Sequence, residues 1–367
     1  MLPPGVQTVV NNTTTQLTLE NVAIQDSGNY SCVLGASAQE NIATAITHLQ
    51  VGTKPGIVNF TCVCYNMGDM WCTWEPIDSY LPTTYEFTWR LYYEPSWKAC
   101  PDDTEKGPNS CFFDFYANQG SEHVMRVSAT NALGQMEEDK HFNPDSDTIP
   151  YPPENVRVVV KTARSVQVQW DPPSDWYADI FFLQYKLQYQ SEWELGEWLQ
   201  QPHIDRTEHY RIRQLEPFTT YDFRVSCKPM GTDGHWSAWS EISTGKTRPQ
   251  EPDEGVRLFI NQEIIKNVMS RDVTISWTLP EKRERNGIII GFRVAWLEEG
   301  SSKRKMIDIQ DGNQTMYTIT DLSVFRSYTV SVVMYNSVGD SPVTQIHIVE
   351  KPSVKPRTTL LYENLVN

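Results

Sequence analysis

The polar run HWSAWSE, residues 235–241, places two tryptophans three positions apart, each followed by a serine. An indole presents a negative π face that attracts a guanidinium, and such a contact contributes about 0.5–2 kcal/mol. The indoles and serines are Trp236, Ser237, Trp239 and Ser240. The candidate cations are Arg224, Arg211 and Arg213. We predict a ladder of stacked indoles and guanidinium groups that keeps its polar edges in water.

Cysteine thiols are the second group that could do chemistry. Cys62 and Cys72 enclose a short loop, as do Cys100 and Cys111. Zinc ligands and reduced core thiols are the alternatives to disulfides, but no CxxC pair occurs and no histidine stands beside either pair at ligand spacing. Disulfides are therefore favoured, and with them an oxidising compartment. Cys64, which shares a strand face with Cys62, is expected to be a free thiol in the core.

Glycosylation acceptors of the type Asn-x-Ser/Thr agree with secretion. They occur at Asn11, Asn12, Asn29, Asn59 and Asn313. The N-terminal residues lack the basic start and apolar stretch of a signal peptide, and no run of 18 apolar residues occurs. We therefore expect the sequence to be a fragment, or one incomplete product, of a longer precursor.

Catalysis and nucleic-acid binding find little support. GxSxG, HExxH and P-loop motifs are absent, and the seven histidines are scattered without a carboxylate or cysteine pattern. We expect a protein without enzymatic activity, cofactor or metal. The net charge of −15 argues against nucleic acid as a partner. Residues 54–150 carry 15 acidic and 6 basic side chains, which favours a partner with a basic face or simply aids solubility.

Short runs with alternating β-rich residues, separated by Gly, Pro and Asn, recur along the chain and predict an all-β fold. Trp170 and Tyr221 are 51 residues apart, and so are Trp277 and Tyr328. A buried tryptophan facing a tyrosine whose hydroxyl ties back to the preceding turn is typical of β-sandwiches. The pattern LxPxTxY, at residues 215–221, resembles the fibronectin type III family.

The 367 residues are expected to form several tandem β-sandwiches, joined by proline-rich linkers. The run DSGNYSC, residues 26–32, resembles a strand of an immunoglobulin domain whose earlier half is absent, so Cys32 should lack its usual partner. A truncated immunoglobulin-like domain is therefore expected, followed by three fibronectin type III-like domains and a disordered tail. The predicted boundaries are 1–52, 54–150, 151–248, 252–350 and 351–367.

WSAWS before the last strand of a fibronectin-like domain, after a domain with two short-loop cysteine pairs and CTW, resembles the cytokine-binding module of class I cytokine receptors of the tall type. The ordered set covers residues 20–350. The resemblance implies a helical cytokine of the interleukin-6 type as partner, together with a second receptor chain. It also implies a parent receptor at the plasma membrane, single-pass, that oligomerises and activates cytoplasmic kinases. A secreted decoy receptor is one alternative.

An adhesion protein of immunoglobulin and fibronectin domains is a rival from another class, which the cysteine pairs and WSAWS disfavour. The receptor resemblance places the ligand at the elbow between residues 54–150 and 151–248. The implied contacts are Phe115, Tyr116, Gln119, Gly120, Trp176, Tyr177, Asp179, Met230, Thr232, Asp233 and His235. Trp176 and Tyr177 are predicted to be exposed loop aromatics of the kind that dominate interfaces, or else to fold back onto the sandwich. The ladder is expected to be structural, and Ser226 stands where the family carries a second arginine.

Overall fold

Eight small sheets contain the strands of the part of the chain that the structure describes, consistent with the predicted all-β class. The computed structural model describes residues 5–11, 14–34, 42–101, 107–114, 122–176, 182–230 and 234–351. It divides into two compact units, one of Met1–Glu154, Pro172–Tyr185 and Ser226–Trp239, the other of Asn155–Asp171, Lys186–Val225 and Ser240–Asn367. The tail predicted to be disordered lies outside the described residues.

Two hairpins form the N-terminal segment. Their strands are β1 (Gly5–Asn11), β2 (Thr14–Leu19), β3 (Gly28–Leu34) and β4 (Ile42–Leu49). β1 pairs with β2 and β3 with β4. In the run DSGNYSC, the Tyr30 hydroxyl donates to the Asp26 carbonyl at 2.7 Å and closes the turn Ile24–Asp26. Cys32 lies on β3 with an exposed side chain.

The next sandwich packs two four-stranded sheets. One has the order β12, β5, β6, β9 and the other β11, β10, β7, β8. The bounds are β5 (Gly56–Tyr65), β6 (Asp69–Ile77), β7 (Thr84–Leu91), β8 (Lys98–Ala99), β9 (Ser110–Asp114), β10 (His123–Asn131), β11 (Gly134–Phe142) and β12 (Thr148–Ile149), with one helical turn, Pro144–Asp147. Trp74 stacks on Phe87 between the sheets, with 6.0 Å between ring centroids. Both rings are buried, so the tryptophan of CTW lies in the core.

Both predicted cysteine pairs are disulfides in the structure. Cys62 and Cys72 are opposite each other on β5 and β6, so this bond joins neighbouring strands of one sheet. Cys100 follows β8 and bonds to Cys111 on β9, so the second disulfide joins the two sheets. Disulfides that close loops of this length are each expected to contribute about 2–4 kcal/mol to the free energy of unfolding, because they restrict the unfolded chain.

The third and fourth sandwiches repeat one plan, a three-stranded sheet packed on a larger sheet. The third has β13 (Glu154–Thr162), β14 (Ser165–Asp171) and β18 (His209–Arg213) facing β15 (Leu183–Ser191), β16 (Leu199–Gln200), β17 (Ile204–Asp205), β19 (Thr220–Pro229) and β20 (Ser243–Lys246). The fourth has β21 (Arg257–Ile265), β22 (Ser270–Thr278) and β25 (Met316–Ser323) facing β23 (Gly291–Glu298), β24 (Arg304–Ile309), β26 (Tyr328–Tyr335) and β27 (Thr344–Ile348). The turn Lys282–Arg285 precedes β23.

The tryptophan and tyrosine repeat has its physical explanation in these cores. Trp170 and Trp277 are buried. The Tyr221 hydroxyl accepts a hydrogen bond from the Glu216 amide at 2.9 Å, and the Tyr328 hydroxyl accepts one from the Ser323 amide at 3.0 Å. Each tyrosine thus ties its strand to the turn that leads into it.

Replacing Tyr221 with phenylalanine should leave the Glu216 amide without its acceptor. A half-buried donor that loses its bond costs about 1 kcal/mol, so amide exchange in β19 should accelerate about fivefold. Hydrogen exchange by mass spectrometry is the suitable measurement because a multidomain chain has no single unfolding transition. Tyr93→Phe, at a ring that is 71% exposed, is the control and should change nothing. Equal acceleration in both variants would contradict this role of the hydroxyl.

Candidate functional site

The two serines of WSAWS bind the segment to strand β19. Ser237 donates its amide to the Cys227 carbonyl at 2.8 Å and accepts the Cys227 amide on Oγ at 3.1 Å. Ser240 makes the same pair of bonds with Val225, at 2.8 and 3.0 Å. Three residues of the segment therefore advance as far as two residues of the strand. This explains the spacing W-S-x-W-S: the two serines, three residues apart, bond to two β19 residues that are two residues apart.

Arg224 provides the ladder contact that the structure describes most fully. Its guanidinium carbon lies 3.9 Å from the centre of the Trp198 ring. Nε and Nη2 both donate to Gln188 Oε1, at 3.0 and 2.7 Å. Desolvation lowers the pKa of Arg224 from its ordinary value. Four residues along β19, Lys228 Nζ lies 5.6 Å from the centre of the Trp236 ring. Two cations on the outer face of β19 thus lie over indoles.

Ser226, between the two cations, does not replace the missing arginine. Its side chain is buried and its hydroxyl donates to the Ser237 carbonyl at 3.0 Å. Lys228 is the second cation on this strand, a residue that the sequence reasoning did not consider. Its position four residues after Arg224 was the available signal, because alternate strand residues share a face.

Assigning Arg211 and Arg213 to the ladder was wrong. Both lie on β18, which belongs to the opposite sheet of this sandwich. Arg211 Nη2 donates to Ser165 Oγ at 3.0 Å on the neighbouring strand, and Arg213 pairs with Ser165 in the register. Arg211 and Arg213 are two residues apart and share a face of β18, but their spacing does not show to which sheet the strand belongs.

The preceding sandwich contains a related stack that the sequence reasoning missed. Trp97 lies between two guanidinium groups, 4.9 Å from that of Arg90 and 4.4 Å from that of Arg126. Arg126 also forms ion pairs with Asp139 and Glu137, each at 2.7 Å. The hydrogen bond from Arg126 lowers the pKa of Asp139. An arginine over a tryptophan therefore occurs in both sandwiches of the module.

Two signals could have revealed this repeat. Trp97 immediately precedes the two-residue strand β8, and Trp198 immediately precedes the two-residue strand β16. Arg126 and Arg224 lie on the strands two places away in the respective sheets, β10 and β19. A strand of two residues is too short to show a hydrophobic period. The sequence therefore does not predict the strands β8 and β16 that fix the positions of these two tryptophans.

The linker between the two module sandwiches is held by polar and aromatic contacts. Tyr151 stacks on Tyr65 with ring centroids 5.9 Å apart, and its hydroxyl donates to Asp69 Oδ2 at 2.7 Å. Burial raises the pKa of Tyr151 to about 12. Asn66 Nδ2 donates to the Ser174 carbonyl at 2.7 Å, which bridges the two sides of the elbow directly.

Two further cysteines lie on either side of this linker. Cys64 pairs with Thr148 in the register, and Cys227 Sγ donates to the Tyr151 carbonyl at 3.4 Å. Burial raises the pKa of each thiol to about 12. Both thiols are therefore protonated and unreactive at neutral pH, and Cys64 is the core thiol that the sequence predicted.

A cavity of about 330 Å³ opens at the elbow. Its polar lining comes from Lys140, His141, Asp147 and His235. His141 Nδ1 lies 2.6 Å from Glu122 Oε1, and its ring contacts Tyr92 with 5.9 Å between centroids. His235 is exposed. This cavity brings the histidine before WSAWS together with the end of β11.

The elbow residues expected to contact ligand have different outcomes. For Trp176 the sequence left two alternatives, an exposed ring or one folded back onto the sandwich; the second is found, because its side chain is only 7% exposed. Its amide donates to the Pro173 carbonyl at 3.2 Å, so a tight turn folds the indole back. Met230 is half-buried. The remaining predicted contacts lie outside the described residues: Phe115, Tyr116, Gln119, Gly120, Tyr177, Asp179, Thr232 and Asp233.

Exposed aromatics do occur at the elbow, but at other positions. Phe182, directly before β15, is 48% exposed, and its carbonyl accepts the Met230 amide at 2.8 Å. Tyr92 and Tyr93 follow β7 and are 55% and 71% exposed. The Tyr92 amide donates to the Glu122 carbonyl at 2.8 Å. These three rings border the loops that the sequence reasoning selected.

Asn29, Asn59 and Asn313 are exposed, as glycosylation requires, whereas Asn12 and the Asn11 side chain lie outside the described residues. Within the ranges that the structure describes, no three His, Cys, Asp or Glu side chains are grouped as metal ligands. The same ranges contain no helix with the length and apolar character needed to cross a membrane.

Several known proteins are similar in sequence to this chain. A model of the fibronectin type III domain matches residues 151–243 and 261–350. Interleukin-6 receptor subunit beta of Mus musculus is 26% identical over 367 residues, covering 98% of this chain. Cytokine receptor-like factor 1 of Homo sapiens is 28% identical over 269 residues, 69% of this chain and 63% of that protein. The chain belongs to the class I cytokine receptor family.

Prolactin receptor of Rattus norvegicus is also similar to this receptor chain, at 32% identity over 185 residues, 47% of the chain and 29% of that protein. The receptor chain spans 38% of the length of the mouse interleukin-6 receptor subunit beta. The fold and the family are thus shown by these relatives, and they agree with the WSAWS geometry described above.

Arg224→Ala should destabilise the receptor chain more than it changes any ligand contact. The substitution removes the contact with Trp198 and both bonds to Gln188, which we expect to cost about 1–3 kcal/mol. Arg224→Lys retains the charge but loses the planar fork and should give an intermediate result. Hydrogen exchange in β19, measured by mass spectrometry, and the yield of secreted protein are the measurements.

Arg213→Ala is the matched control for this change. Arg213 is exposed on β18, so its removal should alter stability by less than about 0.5 kcal/mol. If Arg224→Ala were as stable as Arg213→Ala, the stacked guanidinium would have no structural role.

Proposed function

We propose that this receptor chain binds a four-helix cytokine of the interleukin-6 type at the elbow between residues 54–150 and 151–248. The observation that carries the proposal is the group of exposed rings bordering the elbow: Phe182, Tyr92 and Tyr93. Large rings at the centre of an interface supply much of its binding energy. The sandwiches behind them are stabilised by disulfides and stacked arginines and can present the rings rigidly.

Rigidity of the linker supports the same site. The stack of Tyr151 on Tyr65 and the bond from Asn66 to Ser174 hold the two sides of the elbow. A surface that is already ordered avoids part of the entropy cost of binding. His235 and His141 border the elbow cavity and add polar contacts beside the rings.

Charge supports a basic ligand face. Residues 54–150 have a net charge of −9 from 15 acidic and 6 basic side chains. Such a surface accelerates the encounter with a positively charged partner at low ionic strength. The similarity to interleukin-6 receptor subunit beta and to prolactin receptor favours a helical cytokine among basic partners.

The proposal extends to the parent receptor. We propose that this chain is extracellular, that it acts with a second receptor chain, and that the full receptor signals through cytoplasmic kinases after oligomerisation. The relatives, whose names are those of cytokine receptors, support this role. A soluble product containing this chain would compete for ligand.

Binding of the whole chain to a panel of helical cytokines tests the site. Phe182→Ala should weaken binding of the cytokine that the wild-type chain binds by about 30-fold, which corresponds to 2 kcal/mol for an interface hot spot. His235→Ala should have a smaller effect. Surface plasmon resonance on the secreted protein measures both.

Phe259→Ala and His209→Ala are matched controls. Phe259 is 50% exposed in the fourth sandwich, close to the 48% of Phe182, and His209 is exposed on β18. Both controls should bind as the wild type does. The site is contradicted if no helical cytokine binds, or if Phe259→Ala weakens binding as much as Phe182→Ala does.

A further inference from the structure

A second cleft, of about 370 Å³, lies between the sandwiches of residues 151–243 and 261–350. Its volume is in the range of small-molecule sites. Trp193 and Phe218 line one wall, Ile288 and Arg285 the other, and Asn313 stands at its edge. Asn313 begins the acceptor sequence Asn-Gln-Thr. The cleft therefore has an acceptor sequence for N-linked carbohydrate in its own lining.

The walls of this cleft are held in place by buried amides. Asn286 and Asn336 are buried, and their Nδ2 groups donate to the carbonyls of Glu251 and Gln250, at 3.0 and 2.6 Å. Arg283 forms ion pairs with Glu194, at 3.6 Å, and with Glu216. These contacts join the linker and both sandwiches, so the cleft is formed without a ligand.

The turn that carries Asn313 is fixed against the second wall. Gly312 packs so closely on the Ile289 carbonyl that a Cβ would overlap it. The Asn313 amide donates to Asp311 Oδ1 at 2.9 Å, and its side chain is exposed. The acceptor is thus accessible to a glycosyltransferase while it remains beside Ile288 and Ile289.

The lining suits a sugar better than an apolar ligand. Trp193 is 36% exposed and its Nε1 already donates to Thr219 Oγ1 at 3.1 Å, so the exposed part of the indole is its carbon surface. Ile288 is 72% exposed on the other wall. Lys246, Lys282 and Arg285 also line the cleft and supply hydrogen-bond donors. Lys246 Nζ lies 3.6 Å from the centre of the Phe218 ring. Carbohydrates present apolar ring faces and oxygen acceptors together.

We propose that the N-linked glycan on Asn313 packs into this cleft and stiffens the joint between the two fibronectin-type sandwiches. Covalent attachment makes the contact intramolecular, so weak sugar contacts suffice at the high effective concentration of a short tether. The glycan covers the carbon surfaces of Trp193 and Ile288, which otherwise remain in water. This inference rests on the extracellular location in the proposed function.

Native deglycosylation of the whole chain, secreted from animal cells, tests the packing. Mass spectrometry first measures occupancy at Asn29, Asn59 and Asn313. An endoglycosidase should then release the Asn313 glycan from the folded protein about tenfold more slowly than the Asn59 glycan, a difference of 1.4 kcal/mol, and at equal rates after denaturation. Ile288→Ser together with Trp193→Ala should remove the protection, whereas Trp71→Ala, at an indole 37% exposed on β6, should not.

Thr315→Ala provides a measurement that does not depend on the folding of the Trp193 variant. It removes the acceptor sequence and leaves Asn313 in place, and hydrogen exchange in residues 217–219 and 287–290 should accelerate. Equal release rates at Asn59 and Asn313, or an unmodified Asn313 beside modified Asn29 and Asn59, would overturn this inference alone. Absence of glycan from all three would contradict the extracellular proposal as well.

Discussion

The hydrogen bonds between strand β19 and the two serines of WSAWS determine much of the module's structure. Ser237 and Ser240 each satisfy both backbone groups of one β19 residue, Cys227 and Val225. The segment before β20 thereby occupies the place of an edge strand without having strand geometry. A paired edge cannot template association with another sheet. The serines thus cover this edge of β19, and Trp236 beside them contacts the Lys228 cation.

The same strand connects the core to the elbow. Its inner face buries Tyr221 and Phe223 in the sandwich, while its outer face carries Arg224 and Lys228. Its far end leads to Met230, whose amide pairs with the carbonyl of the exposed Phe182. Loss of strand order at Arg224 would therefore propagate to the ring that we propose as the centre of the cytokine site. On the proposed function, stability and cytokine binding would be coupled through one β-ladder.

The residues that sequence reasoning identified correctly are those whose spacing the backbone imposes. Trp170 and Tyr221 repeat with Trp277 and Tyr328 because the sandwich core requires both side chains at fixed strands. The two disulfides were recognisable because each pair of cysteines is close in sequence, with a separation of 10 or 11 residues. Strand alternation alone could not show that Arg211 lies on the opposite sheet. Sheet membership depends on contacts far apart in sequence.

Loop residues were less predictable because no period applies to them. Tryptophan is a residue type typical of interfaces, yet the Trp176 amide closes a turn on Pro173 and the indole is buried. Phe182 follows six positions later, directly before β15, where its residue type alone would assign it to the core. The exposed fraction of an aromatic ring in such a loop depends on which turn forms. The residue types in this segment do not by themselves show which turn forms, so they do not show which ring is exposed.

The two joints of the chain use different means to hold neighbouring sandwiches. At the first, an aromatic stack of Tyr151 on Tyr65 and one amide bond from Asn66 leave a cavity lined by ionisable groups. At the second, buried Asn286 and Asn336 bind the linker backbone directly. Buried amides that are fully bonded specify one arrangement, since any other leaves them unpaired. Under the proposed function, joints defined in this way would hold the neighbouring sandwiches in place when ligand binds, whereas a flexible linker would not.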